Sequence, residues 1–162
     1  VAGILGDIAL LLAYGAFAVV SVVLAVTDLR THRLPHAIVL PCYPVAGLLL
    51  GVVSVAHGDG GAFLRAILGM LALFLFYAIL RAVQPGGMGG GDVTLAGLIG
   101  FLLAYLGWDP LLVGAVAGFL VGGLYSLVAL VARRADRRTA IPFGPWMLLG
   151  AWIGIAFHTF LG

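Results

Sequence analysis

Thr27-Asp28-Leu29-Arg30-Thr31-His32-Arg33-Leu34-Pro35 is where an apolar run that starts near Ile8 first meets charge. The run before it, to about Thr27, has the length of a membrane-spanning helix, which needs about 20 mostly apolar residues. The same pattern recurs along the chain. Further apolar spans cover about 37–56, 62–83, 93–106, 111–132 and the stretch from Ile141-Pro142-Phe143-Gly144-Pro145-Trp146 to near Leu161. They are parted by His57-Gly58-Asp59-Gly60-Gly61, the glycine-rich 84–91, Trp108-Asp109-Pro110 and Arg133-Arg134-Ala135-Asp136-Arg137-Arg138. The fourth span is the shortest. Period-2 alternation is absent, and backbone groups in lipid must be bonded within their own segment or a closed barrel, so the spans are helices. The expected fold is an all-α polytopic membrane protein, a bundle of about six transmembrane helices forming one domain over 1–162.

Composition narrows the function. The chain is 64% hydrophobic and 9% charged, with a mean hydropathy of +1.24. Six spans use roughly 120 of the 162 positions, which leaves loops and no room for a soluble cofactor domain. All basic residues are Arg, and the pI near 9.0 comes from loop arginines, so no nucleic-acid surface is expected. The single cysteine, Cys42, cannot form an intrachain disulfide or a Cys-x-x-Cys zinc site, and reads as a small buried hydrophobe. The first span is longer than a signal-peptide core and lacks a basic start, so cleavage is not expected. The chain begins with Val1, as a fragment or a trimmed chain does.

Arginine also sets the orientation. Seven of the eight lie by the first, third and fifth connections, and only Arg65 lies near an even one. Positive residues mark the cytoplasmic side. Connections one, three and five are therefore expected in the cytoplasm and both termini outside. Asp28 and Asp92 then fall on the same, cytoplasmic, side. Small residues four apart, Gly47/Gly51, Gly114/Gly118/Gly122 and Gly150/Gly154, suit close helix approach within the bundle or between copies. Pro41 and Pro44 should kink or open the second span.

The chain has six acidic residues, all Asp. Ionisable groups at membrane depth are functional-site candidates. Each of the two aspartates has a plain alternative. Asp92 follows Gly89-Gly90-Gly91, too glycine-rich to be helical, and Asp is a favoured helix cap. Asp28 could mark a span end, paired with Arg30. No Lys follows the glycines, which argues against a phosphate loop. His57 and His158 lie far from the pair. His32 and His36 lie near Asp28, but no second ligand pair at metal spacing appears, so neither metal nor cofactor is expected.

Together, Asp28-x-Arg30-x-x-x-Leu34-Pro35, Gly89-x-Gly91-Asp92-x-x-Leu95 and Ile141-Pro142-Phe143-Gly144-Pro145 resemble the bacterial type IV prepilin peptidases, polytopic aspartyl proteases of the G-x-G-D class. The resemblance covers nearly the whole chain. It implies that Asp28 and Asp92 are the catalytic pair, that pilin-like precursors are the substrates, and that a short leader is removed after a glycine at the cytoplasmic membrane. This chain departs from the family pattern at His36, where Asn or Asp is usual, and at Thr94, where Lys is frequent. It also looks like a short form without the N-terminal paired-cysteine segment associated with N-methylation, so no methyltransferase role is expected. Two carboxylates held close share a proton. Helix dipoles suggest Asp92, at a helix start, as the base and Asp28, at a helix end, as the acid. Gly89, Gly90, Gly91 and Pro35 are expected to shape the loop that meets substrate. Arg30 would orient the carboxylates or, like Arg33, anchor to anionic lipid. Two other readings remain: a small transporter with aspartates in its pathway, and a non-catalytic scaffold in pilus assembly.

Overall fold

The computed structural model describes residues 1–83, 88–131 and 143–162, and the described residues form seven helices and no strand. They are α1 (Ala2–Thr31), α2 (His36–Val39), α3 (Cys42–His57), α4 (Gly60–Val83), α5 (Gly90–Leu106), α6 (Trp108–Val131) and α7 (Gly144–Leu161). Segments α2 and α3 are the expected second span, broken at Leu40-Pro41. Pro44 does not break it, because it falls in the first turn of α3, where a missing N–H costs nothing. Five segments are long and apolar enough to cross a membrane, and α5 is a shorter apolar helix. The chain is an all-α polytopic membrane bundle.

The reason for the short span is its place. Every residue of α5 from Gly91 to Tyr105 is buried. A helix apolar on every side belongs inside, and α5 is the central post on which α4, α6, α7 and the α2–α3 segment pack. At about 1.5 Å per residue it is about 25 Å long, shorter than a bilayer core of about 30 Å. Its ends are satisfied by side chains. At the C-terminal end Arg65 donates from Nε to the Ala104 carbonyl and from Nη2 to the Tyr105 carbonyl, both at 2.7 Å. The one arginine near an even connection is thus a helix cap, which explains its exception to the charge bias. Arg65→Met is expected to cost about 2–3 kcal/mol, the worth of charged hydrogen bonds at a helix terminus. Thermal unfolding in detergent checks this, and an unchanged midpoint would show the cap to be idle.

Close approach is made by glycines. Gly114, Gly118 and Gly122 of α6 face Gly150, Trp146 and Phe143 of the α7 segment. Gly69 of α4 meets Gly100 of α5 backbone to backbone. Gly47 and Gly51 differ: within 4 Å of an added Cβ, Gly47 would meet nothing and Gly51 only the Phe63 ring. The expected internal packing thus holds for α6 and α7 and not for this pair.

Contacts sort the connections into two ends. Asp7 of α1 lies 3.3 Å from His57 of α3, Arg65 caps α5, and Gly154 of α7 packs on the Pro110 carbonyl of α6. At the other end lie Asp28, Leu34, His36, Arg81, Gly90, Gly91 and Gly144. The first residues of α1 and the last of α7 are therefore at the end away from the aspartates. Two local expectations are corrected. Trp108-Asp109-Pro110 is the first turn of α6 and not a separate turn, since proline is tolerated in a first turn. Gly90 and Gly91 are helical, because tight packing outweighs glycine's helix penalty, about 1 kcal/mol each. The expected loops over 84–87 and 133–138, and Ile141-Pro142, lie outside the described residues.

Candidate active site

Asp28 and Asp92 reach the same end of the bundle by different routes. Asp28 occupies the last turn of α1, which α7 fixes: Phe17 stacks on Trp152 with centroids 5.5 Å apart, and Trp152 Nε1 donates to Ser21 Oγ at 3.2 Å. Asp92 rides on the central α5. Both are buried, at 3% and 8% exposure. Among the described residues no ion pair reaches either. In particular, Arg30 is exposed and is no salt-bridge partner of Asp28.

Backbone amides take the place of cations. Gly144, the first residue of α7, donates its N–H to Asp28 Oδ2 at 3.0 Å. Gly89 donates to Asp92 Oδ2 at 3.0 Å. Gly89 is the N-cap of α5, so Asp92 stands three positions further in and reaches back to the cap. Half of a capping box is formed, and glycine has no side chain to complete it. Both carboxylates therefore meet a helix N-terminus, Asp92 its own and Asp28 that of α7. The dipole difference expected from the sequence, with Asp28 only at a helix end, disappears, and the dipoles assign neither as base.

Leu34 packs against the first turns of both α5 and α7. A Cβ on Gly144 would lie 2.9 Å from Leu34 Cδ1 and 2.7 Å from Asp28 Oδ2. A Cβ on Gly91 would strike the Leu34 carbonyl. Residues 34, 91 and 144 thus lock the three elements that carry the pair. Pro35 is the extended N-cap of α2 and turns the chain from Leu34 toward α5.

The two departures from the family pattern meet. His36 Nδ1 lies 3.1 Å from Thr94 Oγ1, and Thr94 Oγ1 is 3.2 Å from the Gly90 carbonyl. Tyr43 Oη donates to the Thr94 carbonyl at 2.6 Å. His32, in a left-handed conformation with φ of 51°, ends α1. No cluster of metal-ligating side chains occurs among the described residues.

Sequence inspection assigned no part to Gly144, Leu34 or Tyr43. The Phe143-Gly144-Pro145 motif was the available signal for Gly144, but its contribution is a backbone N–H, which residue type does not reveal.

A model of the type IV leader peptidase family matches residues 15–127. The chain belongs to the type IV leader peptidase family. Asp28 and Asp92 both lie within the stretch that matches this peptidase family. Among curated relatives, the chain is 33% identical over 133 residues to the prepilin leader peptidase/N-methyltransferase of Bacillus subtilis (strain 168), covering 80% of this chain and 49% of the relative. It is 30% identical over 147 residues to the protein of the same name from Stutzerimonas stutzeri, covering 90% and 48%. The Aeromonas hydrophila protein of that name is 32% identical over 137 residues, covering 84% and 46%. The chain spans about half the length of these leader peptidase relatives. No solved structure gives a significant match.

Proposed function

We propose that the chain is an aspartyl endopeptidase unit that removes the leader of type IV prepilin-like precursors, with Asp28 and Asp92 as its catalytic pair. The observation that carries this is two buried carboxylates, 64 residues apart in sequence, each held by a backbone N–H at one end of the bundle. A hydrogen bond from an N–H orients a carboxylate without neutralising it, as a lysine or arginine partner would. The family and the names of its curated relatives support the substrate class.

In this mechanism the pair shares one proton. The ionised carboxylate takes a proton from water as the water oxygen bonds to the scissile carbonyl carbon. The protonated carboxyl donates to the carbonyl oxygen. Collapse of the tetrahedral species breaks the C–N bond, and the amine leaves with a proton from the pair. A transporter would need a polar path to the far end, and beyond Thr94 the core post α5 offers none before Tyr105.

The site faces the cytoplasm in this proposal, on the strength of the arginine bias, and Arg30 and Arg33 sit at the lipid headgroups. The assay is cleavage of a pilin-like precursor in membranes, with the new amino terminus sequenced. A wild-type chain inactive on several precursors would overturn the proposal. Orientation is tested in a Cys42→Ser background. Thr159→Cys is expected to react with an impermeant maleimide on intact cells, and Arg33→Cys only after permeabilisation. The reverse pattern would place the pair outside.

A further inference from the structure

We propose that His36 is a positioning residue for Asp92, bracing the first turn of α5 through Thr94. The inference rests on the peptidase reading for its kinetic consequence, not for its geometry.

Asp92 has one hydrogen bond to its carboxylate among the described residues, from the Gly89 N–H. Its orientation therefore depends on where the first turn of α5 sits. That turn is held from one side by the segment after α1. Leu34 backs Gly91, Tyr43 fixes the Thr94 carbonyl, and His36 reaches the Thr94 hydroxyl. Thr94 is buried and lies two residues beyond Asp92.

The proton positions follow from the donors available. The Thr94 hydroxyl has one proton, and a helical threonine gives it to the carbonyl four residues back, here Gly90 at 3.2 Å. The hydroxyl oxygen then accepts from His36 Nδ1–H at 3.1 Å. A point one Cβ above Gly90 lies 3.2 Å from His36 Nε2 and 2.9 Å from Arg81 Nη1. Arg81, which only donates, thus shares the space over Gly90 with the ring. His36 is thus the Nδ1–H tautomer, the start of a chain from imidazole to hydroxyl to the Gly90 carbonyl. Arg81 is the charged group of α4 that borders Gly90 together with the ring, and among the described residues no carboxylate pairs with His36.

Two measurements on the full chain in lipid nanodiscs test this. Nitrogen-15 NMR of labelled histidine reads the tautomer directly. His36 is expected as Nδ1–H, shifting toward Nε2–H in Thr94→Val; an Nε2–H ring in the wild-type chain overturns the brace. Kinetics on a prepilin-like peptide give the second readout. His36→Leu is expected to lower kcat about 10- to 100-fold with KM changed less than about twofold, the scale of a misplaced catalytic group. Asn carries its amide nitrogen near the position of Nδ1, so His36→Asn should recover to within about threefold of wild type. His36→Asn as slow as His36→Leu would overturn the positioning role. Wild-type inactivity would instead sink the peptidase reading, and the NMR result would still decide the brace.

Discussion

Asp28→Asn and Asp92→Asn are each expected to lower kcat/KM for a pilin-like precursor by at least about 10³-fold, with the double variant no worse than the poorer single. General acid–base groups contribute about 10²–10⁴-fold, and residues that act as one unit are not additive. Asparagine makes this a clean test. Its amide oxygen still accepts from Gly144 at position 28 and from Gly89 at position 92, so both hydrogen bonds survive. Only the charge and the shared proton are lost. If Asp92 merely capped α5, the asparagine would cap nearly as well, and cleavage would continue with about 1 kcal/mol or less lost in stability. Unfolding in detergent, measured beside cleavage, separates the two. A full-rate Asp92→Asn enzyme would reduce the residue to a cap and remove the dyad. The wild-type rate should be bell-shaped in pH, each limb belonging to the pair and not to one aspartate.

Much of this was legible in the chain itself. Hydropathy gives the helices, arginine placement gives the common end of the two aspartates, and Pro41, though not Pro44, gives the break between α2 and α3. What was hidden has a common physical cause, which is tertiary contact. Gly90 and Gly91 look non-helical by propensity, yet Leu34 packs so closely on Gly91 that only a bare Cα fits. Asp28 looks like a helix end until the N-terminus of α7, 116 residues away, supplies its N–H. His36 and Thr94, 58 residues apart, look like unrelated departures until the fold joins them. Arg65 looks like a topological exception because its two carbonyl partners belong to another helix.

Gly91→Ala and Gly144→Ala are expected to lower kcat/KM about 100-fold or more, while Gly90→Ala stays within about tenfold of wild type. Glycine-rich loops invite the explanation that they are mobile, and mobility would make the glycines of 89–91 equivalent. The packing makes them unequal. An added methyl on Gly91 drives into the Leu34 backbone, whose carbonyl carbon would lie 3.0 Å away. Backbone cannot swing aside, so α5 must shift with Asp92 on it. On Gly144 the methyl would meet Asp28 Oδ2 at 2.7 Å and Leu34 Cδ1 at 2.9 Å, which moves the other carboxylate. On Gly90 it would meet the tips of Arg81 and His36 at 2.9 and 3.2 Å; Arg81 is long and exposed and can move out of the way. Overpacking costs about 1–3 kcal/mol in stability, but displacement of about 1 Å at a reacting group costs about 10²-fold in rate. Rates normalised to the folded fraction therefore carry the test. Equal losses at Gly90 and Gly91 would favour mobility over packing. A fast Gly144→Ala enzyme would show that Asp28 does not depend on the N-terminus of α7 for its place.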